Sequence, residues 1–509
     1  MELLEFRNKM FDLCAVEKTA EIGGILMAAV LENDISFFEK YQSIIDDSRD
    51  WLQLLWQYYE ADRTEKKQDY TPICLAKSIA MLSKSDNEKV CLDMCAGSGA
   101  LTVQKWRSNN DLHFICQEFD ENVIPFLLFN LALNNITATV LHCDVLSGEV
   151  FKTWSLIKGE KYSVVAETEP PSEIKADVCI SNPPYNMEWV PPIFAQMQPR
   201  FANCELPPAS NANYAFILTA LNNADRISMI MPTCILSTEN KAEKAIRSYL
   251  VDNNLIDSIV INPDRMFEAT SIGTCFITLA KKRQTTQIAM VDMRKHYGVE
   301  VREQNGQFGG ASHERRTYKK EYKVYSAEHQ AEMLLAVTDL SNIPQFSKAV
   351  TIQEVKANDY NLVPSRYIEF QEAEETHRPY ADIVADLARI IDEKNTLKLT
   401  VNETIAKSLG LYDLFLLSKK SSETDLNQTI ECLKLGVKIP KENYITCTKN
   451  KNEMKFENMS KEQISTIFLS ILQMWKQHIM YLNERENVYL AELRDAMLPD
   501  LMSGKIIIG

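Results

Sequence analysis

The chain has 509 residues, well above the roughly 250–300 residues at which a single hydrophobic core stops growing, so we expect one large domain and at least one further unit. Its hydrophobic fraction of 45% is sufficient for folded domains, and no apolar run reaches the ~18 residues of a membrane span. The formal net charge of −15 argues against a chain that wraps nucleic acid unaided, because Lys and Arg neutralise the phosphates in such complexes.

The cysteines and the first residues bear on the compartment. The twelve cysteines are scattered, many of them in apolar runs, and they lack the spacing of a zinc site, so we expect reduced thiols and no metal. The start of the chain lacks the basic stretch and apolar core of a signal peptide. We therefore expect a cytoplasmic protein with no membrane association.

Residues 1–64 predict a small helical N-terminal segment. Apolar residues recur at helical spacing between Leu3 and Val30, and neither Gly nor Pro occurs at positions 25–71. We interpret this segment as a cap that packs against the domain that follows.

Residues 65–285 alternate short apolar runs with helical stretches, a pattern typical of a mostly parallel sheet with helices on both faces. Only eleven residues separate the last two runs, which is short for a parallel crossover, so we expect the final strand to be antiparallel. The seven predicted strands lie at 90–94, 113–117, 138–143, 176–181, 226–231, 257–262 and 274–280.

The remainder divides into a connecting region, 286–375, and a mainly helical C-terminal region, 376–509. The connecting region contains a glycine-rich loop at 306–310 and a basic, tyrosine-containing cluster at 313–323. That cluster is either a solvated hairpin or a phosphate contact near bound DNA. From Ser460, apolar residues recur every three to four positions, which predicts a long coiled-coil-like helix ended by Pro499 and Gly504.

A glycine-containing turn follows the first predicted strand. It reads Asp-Met-Cys-Ala-Gly-Ser-Gly over residues 93–99 and opens a helix. Gly97 and Gly99 allow a tight turn and a close backbone approach to a ligand. The start of the helix offers free N–H groups and the positive end of the helix dipole to a carboxylate.

Carboxylates end the next two strands. Glu118 at the end of the second strand is placed to accept hydrogen bonds from ribose hydroxyls, although an acid there could also be an ordinary surface residue. Asp144 at the end of the third strand could accept a hydrogen bond from an adenine amine. These strand ends would form one crevice at the carboxyl edge of the sheet, where open α/β sheets bind ligands.

The fourth predicted strand runs directly into Asn182, Pro183, Pro184 and Tyr185. The two prolines have no N–H groups, so their carbonyls and the Asn182 side-chain oxygen remain as acceptors. This arrangement suits an exocyclic amine held by two acceptors, with its ring stacked on Tyr185. Because a base inside a duplex cannot reach such a loop, the target would have to be flipped out.

These motifs resemble those of the gamma-class amino-methyltransferases and, within that class, the modification subunit of type I restriction-modification systems. The resemblance covers roughly residues 65–285, with Met94 and Ala96 where Pro and Cys are common. It implies a Rossmann-like class I methyltransferase sheet and transfer from S-adenosylmethionine to adenine N6, which Asn182 favours over cytosine N4. The implied catalytic residues are Asn182, Pro183, Pro184 and Tyr185. The implied cofactor-binding residues are Tyr70, Thr71, Pro72, Asp93, Cys95, Ala96, Gly97, Ser98, Gly99, Glu118, Asp144, Val145 and Asn182.

The resemblance also implies partners. The segment 493–505 is similar to conserved helix ends of type I specificity subunits, and no stretch between 284 and 460 has the size of a target-recognition domain. We therefore expect double-stranded DNA and a specificity subunit as partners, with a restriction subunit as a further candidate. The alternatives are a stand-alone adenine methyltransferase, an RNA or protein-glutamine methyltransferase with the same Asn-Pro-Pro-Tyr loop, and a non-enzymatic scaffold.

Overall fold

A computed structural model of the chain describes residues 3–45, 50–59, 71–267, 272–305, 317–369, 378–408, 445–450, 453–458 and 466–502. The chain divides into two compact units, Met1–Gln371 and Glu372–Gly509. The predicted loop 306–310 and the first basic residues of the cluster, 313–316, lie outside the described residues. No helix within the described ranges is long and apolar enough to cross a bilayer.

The first unit combines helices with one large sheet and a hairpin. Its helices are α1 (Leu3–Cys14), α2 (Thr19–Leu31), α3 (Ile35–Ile44), α4 (Trp51–Tyr59), α5 (Ile73–Leu82), α6 (Ala100–Ser108), α7 (Ile124–Leu133), α8 (Asn213–Asn223), α9 (Lys241–Asp252), α10 (Ala327–Thr338) and α11 (Ile352–Ala357). Its strands are β1 (Val90–Met94), β2 (His113–Glu118), β3 (Ala138–Cys143), β4 (Val150–Ile157), β5 (Val164–Glu167), β6 (Ala176–Ser181), β7 (Ala224–Pro232), β8 (Ile256–Ile261), β9 (Thr274–Ala280), β10 (Gln287–Asp292), β11 (Gly298–Asn305), β12 (Thr317–Val324) and β13 (Ser347–Thr351).

The large sheet has the order β13-β10-β8-β9-β7-β6-β1-β2-β3-β4-β5. Its seven central strands, β8 to β3 in that order, coincide with the seven predicted ones, and the predicted α/β class is confirmed. Strand β9 runs antiparallel to both of its neighbours, as expected from the short link before it. The described sheet has eleven strands rather than seven, so the predicted strand number is wrong.

The four strands that the sequence did not indicate lie at the two sides of the sheet. In β4 the polar residues Lys152, Thr153 and Ser155 interrupt the apolar residues, and β5 is only four residues long. Strands β10 and β13 come from the predicted connecting region and pair at the opposite side. Residues 317–323 of the basic cluster lie in a separate hairpin, in which β11 pairs with β12.

The four N-terminal helices share the hydrophobic core of the sheet domain. Phe38 of α3 is fully buried, and its ring stacks on Phe129 of α7 at 4.8 Å and on Tyr162 at 4.7 Å between centroids. Trp56 of α4 contacts Phe126 of α7 at 5.0 Å. The N-terminal segment is therefore part of the core that supports the central strands.

The second unit contains two long helices, α12 (Tyr380–Ser408) and α13 (Thr466–Met502), and the hairpin strands β14 (Ile445–Asn450) and β15 (Glu453–Asn458). The two helices pack against each other, and the Arg378–Glu492 ion pair, at 2.7 Å, joins the start of one to the other. The predicted helical C-terminal region is confirmed. Helix α13 continues past Pro499 to Met502, so the predicted end at Pro499 is wrong; a proline can kink a helix without ending it.

Phe38→Ala is expected to lower the free energy of unfolding by about 3–5 kcal/mol, because it deletes a fully buried ring between two aromatic neighbours. Urea denaturation measures the change. The control is Ile157→Ala on β4, where the side chain is 64% exposed, and its effect should stay within about 0.5 kcal/mol. An equally small effect of Phe38→Ala would contradict a shared core.

Candidate active site

The carboxyl ends of β1, β2, β3 and β6 surround a cavity of about 890 Å³. Because these four strands are parallel neighbours, residues that follow each of them in the sequence meet at one edge of the sheet. Most of the predicted site residues line this cavity, namely Thr71, Cys95, Ala96, Gly97, Ser98, Glu118, Asp144, Val145, Asn182, Pro183, Pro184 and Tyr185.

Three of the predicted cofactor residues, Pro72, Asp93 and Gly99, do not line the cavity, and Tyr70 lies outside the described residues. Pro72 directly precedes α5. Asp93 is fully buried, and one of its carboxylate oxygens accepts hydrogen bonds from the Thr102 hydroxyl at 2.5 Å and the Thr102 N–H at 3.1 Å. Asp93 therefore anchors the first turn of α6 beneath the glycine turn. Gly99, the third, directly precedes that helix.

The glycine turn is shaped by left-handed backbone conformations and by Glu118. Gly99 has φ +94°, and a Cβ atom there would lie 3.1 Å from the Leu127 side chain, so a larger residue would be strained. Glu118 accepts hydrogen bonds from the N–H groups of Gly97, at 2.8 Å, and Asp120, at 2.9 Å. Burial raises the pKa of Glu118, although these two hydrogen bonds act to lower it. The end of β2 is thus tied to the turn that follows β1.

Two buried oxygen atoms on lining residues indicate a polar ligand. The Ser98 hydroxyl and the Gln117 side-chain carbonyl have no hydrogen-bond partner among the described residues. Buried polar groups are normally paired, so a ligand would satisfy them. Phe119, Val145 and Leu146 add apolar lining suited to a planar ring. These features fit S-adenosylmethionine, which has an amino acid end, a ribose and an adenine.

The Asn182 side-chain amide is hydrogen-bonded at both ends. Its nitrogen donates to the Thr71 hydroxyl at 2.9 Å, and its oxygen accepts from the Tyr185 hydroxyl at 2.5 Å. Tyr185 is largely buried, and its ring meets Phe267 edge to face at 6.3 Å. The hydroxyl of Ser181 donates to the Met94 carbonyl and joins β6 to β1 just before the Asn182–Tyr185 loop.

The segment after the Asn182–Tyr185 loop forms a wall of the cavity that the sequence did not indicate. Residues 187–193 line it. Trp189 is buried and anchored by its indole N–H to the Pro208 carbonyl at 3.0 Å, whereas Val190 and Ile193 are 89% and 94% exposed. The sequence offered only an irregular apolar stretch with two prolines, which matches neither helix nor strand periodicity.

Arg200 also contributes to the site, and the sequence did not indicate it. Its guanidinium donates to the Val145 carbonyl at 3.2 Å and to the Thr219 hydroxyl at 2.9 Å. Arg200 belongs to the segment that follows the Asn182–Tyr185 loop. It therefore holds that segment against the loop after β3, which carries Asp144.

The cavity offers neither a thiolate nor a metal cluster among the described residues. Burial, together with the charge of Glu118, raises the pKa of the Cys95 thiol well above its usual value, so the thiol stays protonated. No group of three or more His, Cys, Asp or Glu side chains in the described ranges is arranged to hold a metal ion.

Fold and site together define a methyltransferase-like α/β domain, and comparison with known proteins identifies the family. Residues 48–376 match the N-6 DNA Methylase family, and the chain belongs to it. The chain is 24% identical over 370 residues to the type I restriction enzyme MjaVIII methylase subunit of Methanocaldococcus jannaschii, across 71% of this chain and 58% of that protein. It is 25% identical to the MpnII methylase subunit of Mycoplasma pneumoniae, across 75% of this chain and 67% of that protein.

A solved structure supports the fold. The type I restriction-modification methyltransferase subunit of Streptococcus thermophilus superposes with a TM-score of 0.51 at 20% identity, over 66% of this chain and 67% of that one. The resemblance to N6-adenine methyltransferases and type I modification subunits is thereby confirmed. The chain spans less than two thirds of the length of the Methanocaldococcus relative.

Asp93→Asn is expected to flatten the pH dependence of stability between about pH 4 and 7. Burial raises the pKa of Asp93 to about 7, although the Thr102 hydrogen bonds lower it. Such a carboxyl favours folding while it is protonated; the contribution is complete below its unfolded pKa of ~3.9 and is lost as the pH rises through the folded pKa. From pH 5 to 7.5 the wild type should lose about 2 kcal/mol relative to the variant.

Urea midpoints at the two pH values measure this difference. Asp339→Asn, at an exposed position after α10, is the control and should leave the pH dependence unchanged. Parallel pH profiles for wild type and Asp93→Asn would contradict a raised Asp93 pKa.

Proposed function

We propose that the chain transfers a methyl group from S-adenosylmethionine to the N6 amine of a flipped adenine in DNA. The observation that carries the proposal is the Asn182–Tyr185 loop at the end of β6, in the same cavity as the glycine turn, Glu118 and Asp144. Membership of the N-6 DNA Methylase family supports the reaction class and the substrate.

The cofactor would lie along the ends of β1, β2 and β3. When bound, it supplies an electrophilic methyl group on its sulfonium. Glu118 would accept hydrogen bonds from ribose hydroxyls, and Asp144 would accept one from the adenine amine. The buried Ser98 and Gln117 oxygens would gain partners in the complex.

The catalytic loop would act on the target amine. An amine conjugated to a purine ring is a poor nucleophile, because its lone pair is delocalised into the ring. The Asn182 oxygen and a proline carbonyl would each accept one of its N–H groups, which turns the lone pair toward the methyl donor. Tyr185 would stack on the base and hold the Asn182 oxygen through its hydroxyl. Base flipping is required because the loop lies inside the cavity.

We further propose that the chain acts as a modification subunit with a specificity subunit, and that a restriction subunit can join them. The net charge of −15 disfavours binding of the DNA phosphates by this chain without help. The aligned relatives are methylase subunits of type I restriction enzymes. The α12 and α13 helix pair is the candidate contact for the specificity subunit, because its exposed faces carry apolar residues such as Val384, Ile391 and Val488.

Methyl transfer from labelled S-adenosylmethionine should reach DNA and appear as N6-methyladenine. The assay offers DNA, RNA and release-factor protein as separate substrates. It is run with the full chain alone and with the chain co-purified with the product of a neighbouring specificity gene. Label in RNA or protein but not in DNA would contradict the proposal, and full site-specific transfer by the lone chain would contradict the subunit model.

Asn182→Ala should lower kcat for methyl transfer by about 100-fold or more, because it removes an acceptor that holds the reacting amine. Binding of S-adenosylmethionine, measured by calorimetry, should change by less than about threefold, since the contacts at β1, β2 and β3 remain. Asn222→Ala, at an exposed position on α8, is the matched control and should keep full activity. Full activity of Asn182→Ala would remove Asn182 from the mechanism.

A further inference from the structure

Two hydrogen bonds in series connect the N-terminal helices to the Asn182 side chain. Gln53 of α4 donates from its side-chain nitrogen to the Thr71 carbonyl at 3.0 Å. Thr71 in turn accepts, at its hydroxyl, the 2.9 Å hydrogen bond from the Asn182 side-chain nitrogen. Gln53 and Thr71 are each only 6% exposed, so the first bond is buried, and the second is partly buried.

Helix α4 is held in place by burial and by a hydrogen bond at its start. Trp51, Leu52 and Leu55 are buried in the core that the N-terminal helices share with the sheet domain. Asp50, immediately before the helix, accepts a hydrogen bond from the Gln53 N–H at 2.9 Å. The backbone of Gln53 is therefore fixed from two sides, and its side chain reaches Thr71 from a defined position.

Thr71 depends on such a contact because it lies outside the helices and strands, two residues before α5. Its carbonyl is held by Gln53, and the position of that peptide sets where its hydroxyl stands. The hydroxyl in turn fixes where the Asn182 side chain lies, through the 2.9 Å bond that it accepts from the Asn182 nitrogen. A shift of this side chain would move its oxygen, which is the end of the amide that can accept a hydrogen bond from a target amine.

We propose that Gln53 is a positioning residue for Asn182, acting through Thr71. The N-terminal segment, whose sequence predicts a packing cap, then also sets the position of the Asn182 amide. This inference rests on the proposed function, because it assigns the Asn182 oxygen to the amine that is methylated.

A separate contact holds the cofactor side of the cavity, which predicts a selective effect. Asn130 of α7 donates from its side chain to the Ser98 carbonyl at 2.9 Å and so supports the glycine turn directly. Loss of the Gln53 side-chain bond leaves this contact in place. Because Thr71 is also a predicted cofactor contact, a defect at Gln53 should appear mainly in kcat, with at most a small loss of affinity for S-adenosylmethionine.

The test is Gln53→Met, which keeps the size of the side chain but removes the donor. In the full chain with its specificity subunit, kcat on unmethylated DNA should fall by between about tenfold and 100-fold. The dissociation constant for S-adenosylmethionine should change by less than about threefold. An unchanged kcat, or a loss explained by weaker cofactor binding, would overturn the proposal.

Gln330→Met is the matched control. Gln330 is also buried, at 7% exposure, and donates from its side chain to a backbone carbonyl of α5, that of Cys74, at 2.8 Å. It is not part of the connection to Asn182. Its variant should lose a similar amount of thermal stability while kcat stays within about twofold of wild type; an equal loss of kcat would show that any weakening near α5 suffices.

Two further measurements separate this inference from the proposed function. In a Thr71→Val background, Gln53→Met should lower kcat no further, because the link is already broken; multiplying effects would overturn the inference. A crystal structure of Gln53→Met should show the Asn182 nitrogen and the residue 71 hydroxyl beyond the ~3.2 Å reach of a normal hydrogen bond. A retained 2.9 Å bond would overturn the inference whatever the activity, whereas absence of DNA methylation by the wild type would overturn the proposed function.

Discussion

The orientation of one side-chain amide is the constraint on which the proposed chemistry depends. An asparagine amide is a donor at one end and an acceptor at the other, and only the acceptor end can hold the protons of a target amine. In this chain the nitrogen end faces Thr71 and the oxygen end faces Tyr185. Two neighbours on separate parts of the chain therefore preorganise the acceptor before a substrate arrives, which lowers the cost of reorganisation during the reaction.

The parallel sheet explains why so few residues can build the remainder of the site. Strands β1, β2, β3 and β6 are parallel neighbours, so their carboxyl ends deliver the glycine turn, Glu118, Asp144 and Asn182 to one edge. Ties between these strand ends then hold them at fixed distances, as in the bond from Gly97 to Glu118 and that from Ser181 to Met94. The cavity is thus a product of topology first and of side-chain chemistry second.

The sequence predicted the parts of this arrangement that lie next to strong apolar runs. The seven central strands are buried and rich in apolar residues, so their ends, and with them Glu118, Asp144 and Asn182, could be located from the pattern alone. Strands β4 and β5 were not predicted, because polar residues interrupt the apolar residues of β4 and β5 has only four residues. The cavity wall at 187–193 and the contacts of Arg200 were not predicted. They belong to irregular backbone, which has neither the two-residue period of a strand nor the 3.6-residue period of a helix.

Membership of a motif and a place in the cavity wall are also different properties. Asp93 belongs to the glycine motif, yet it is buried beneath the cavity and anchors Thr102 rather than lining the site. Gln53 belongs to no motif, yet it reaches the peptide that holds the catalytic amide. A residue's part in such a site therefore follows from the hydrogen bonds it makes after folding, which link positions that no local pattern connects. The same reasoning gives the N-terminal helices a chemical role in addition to their share of the core.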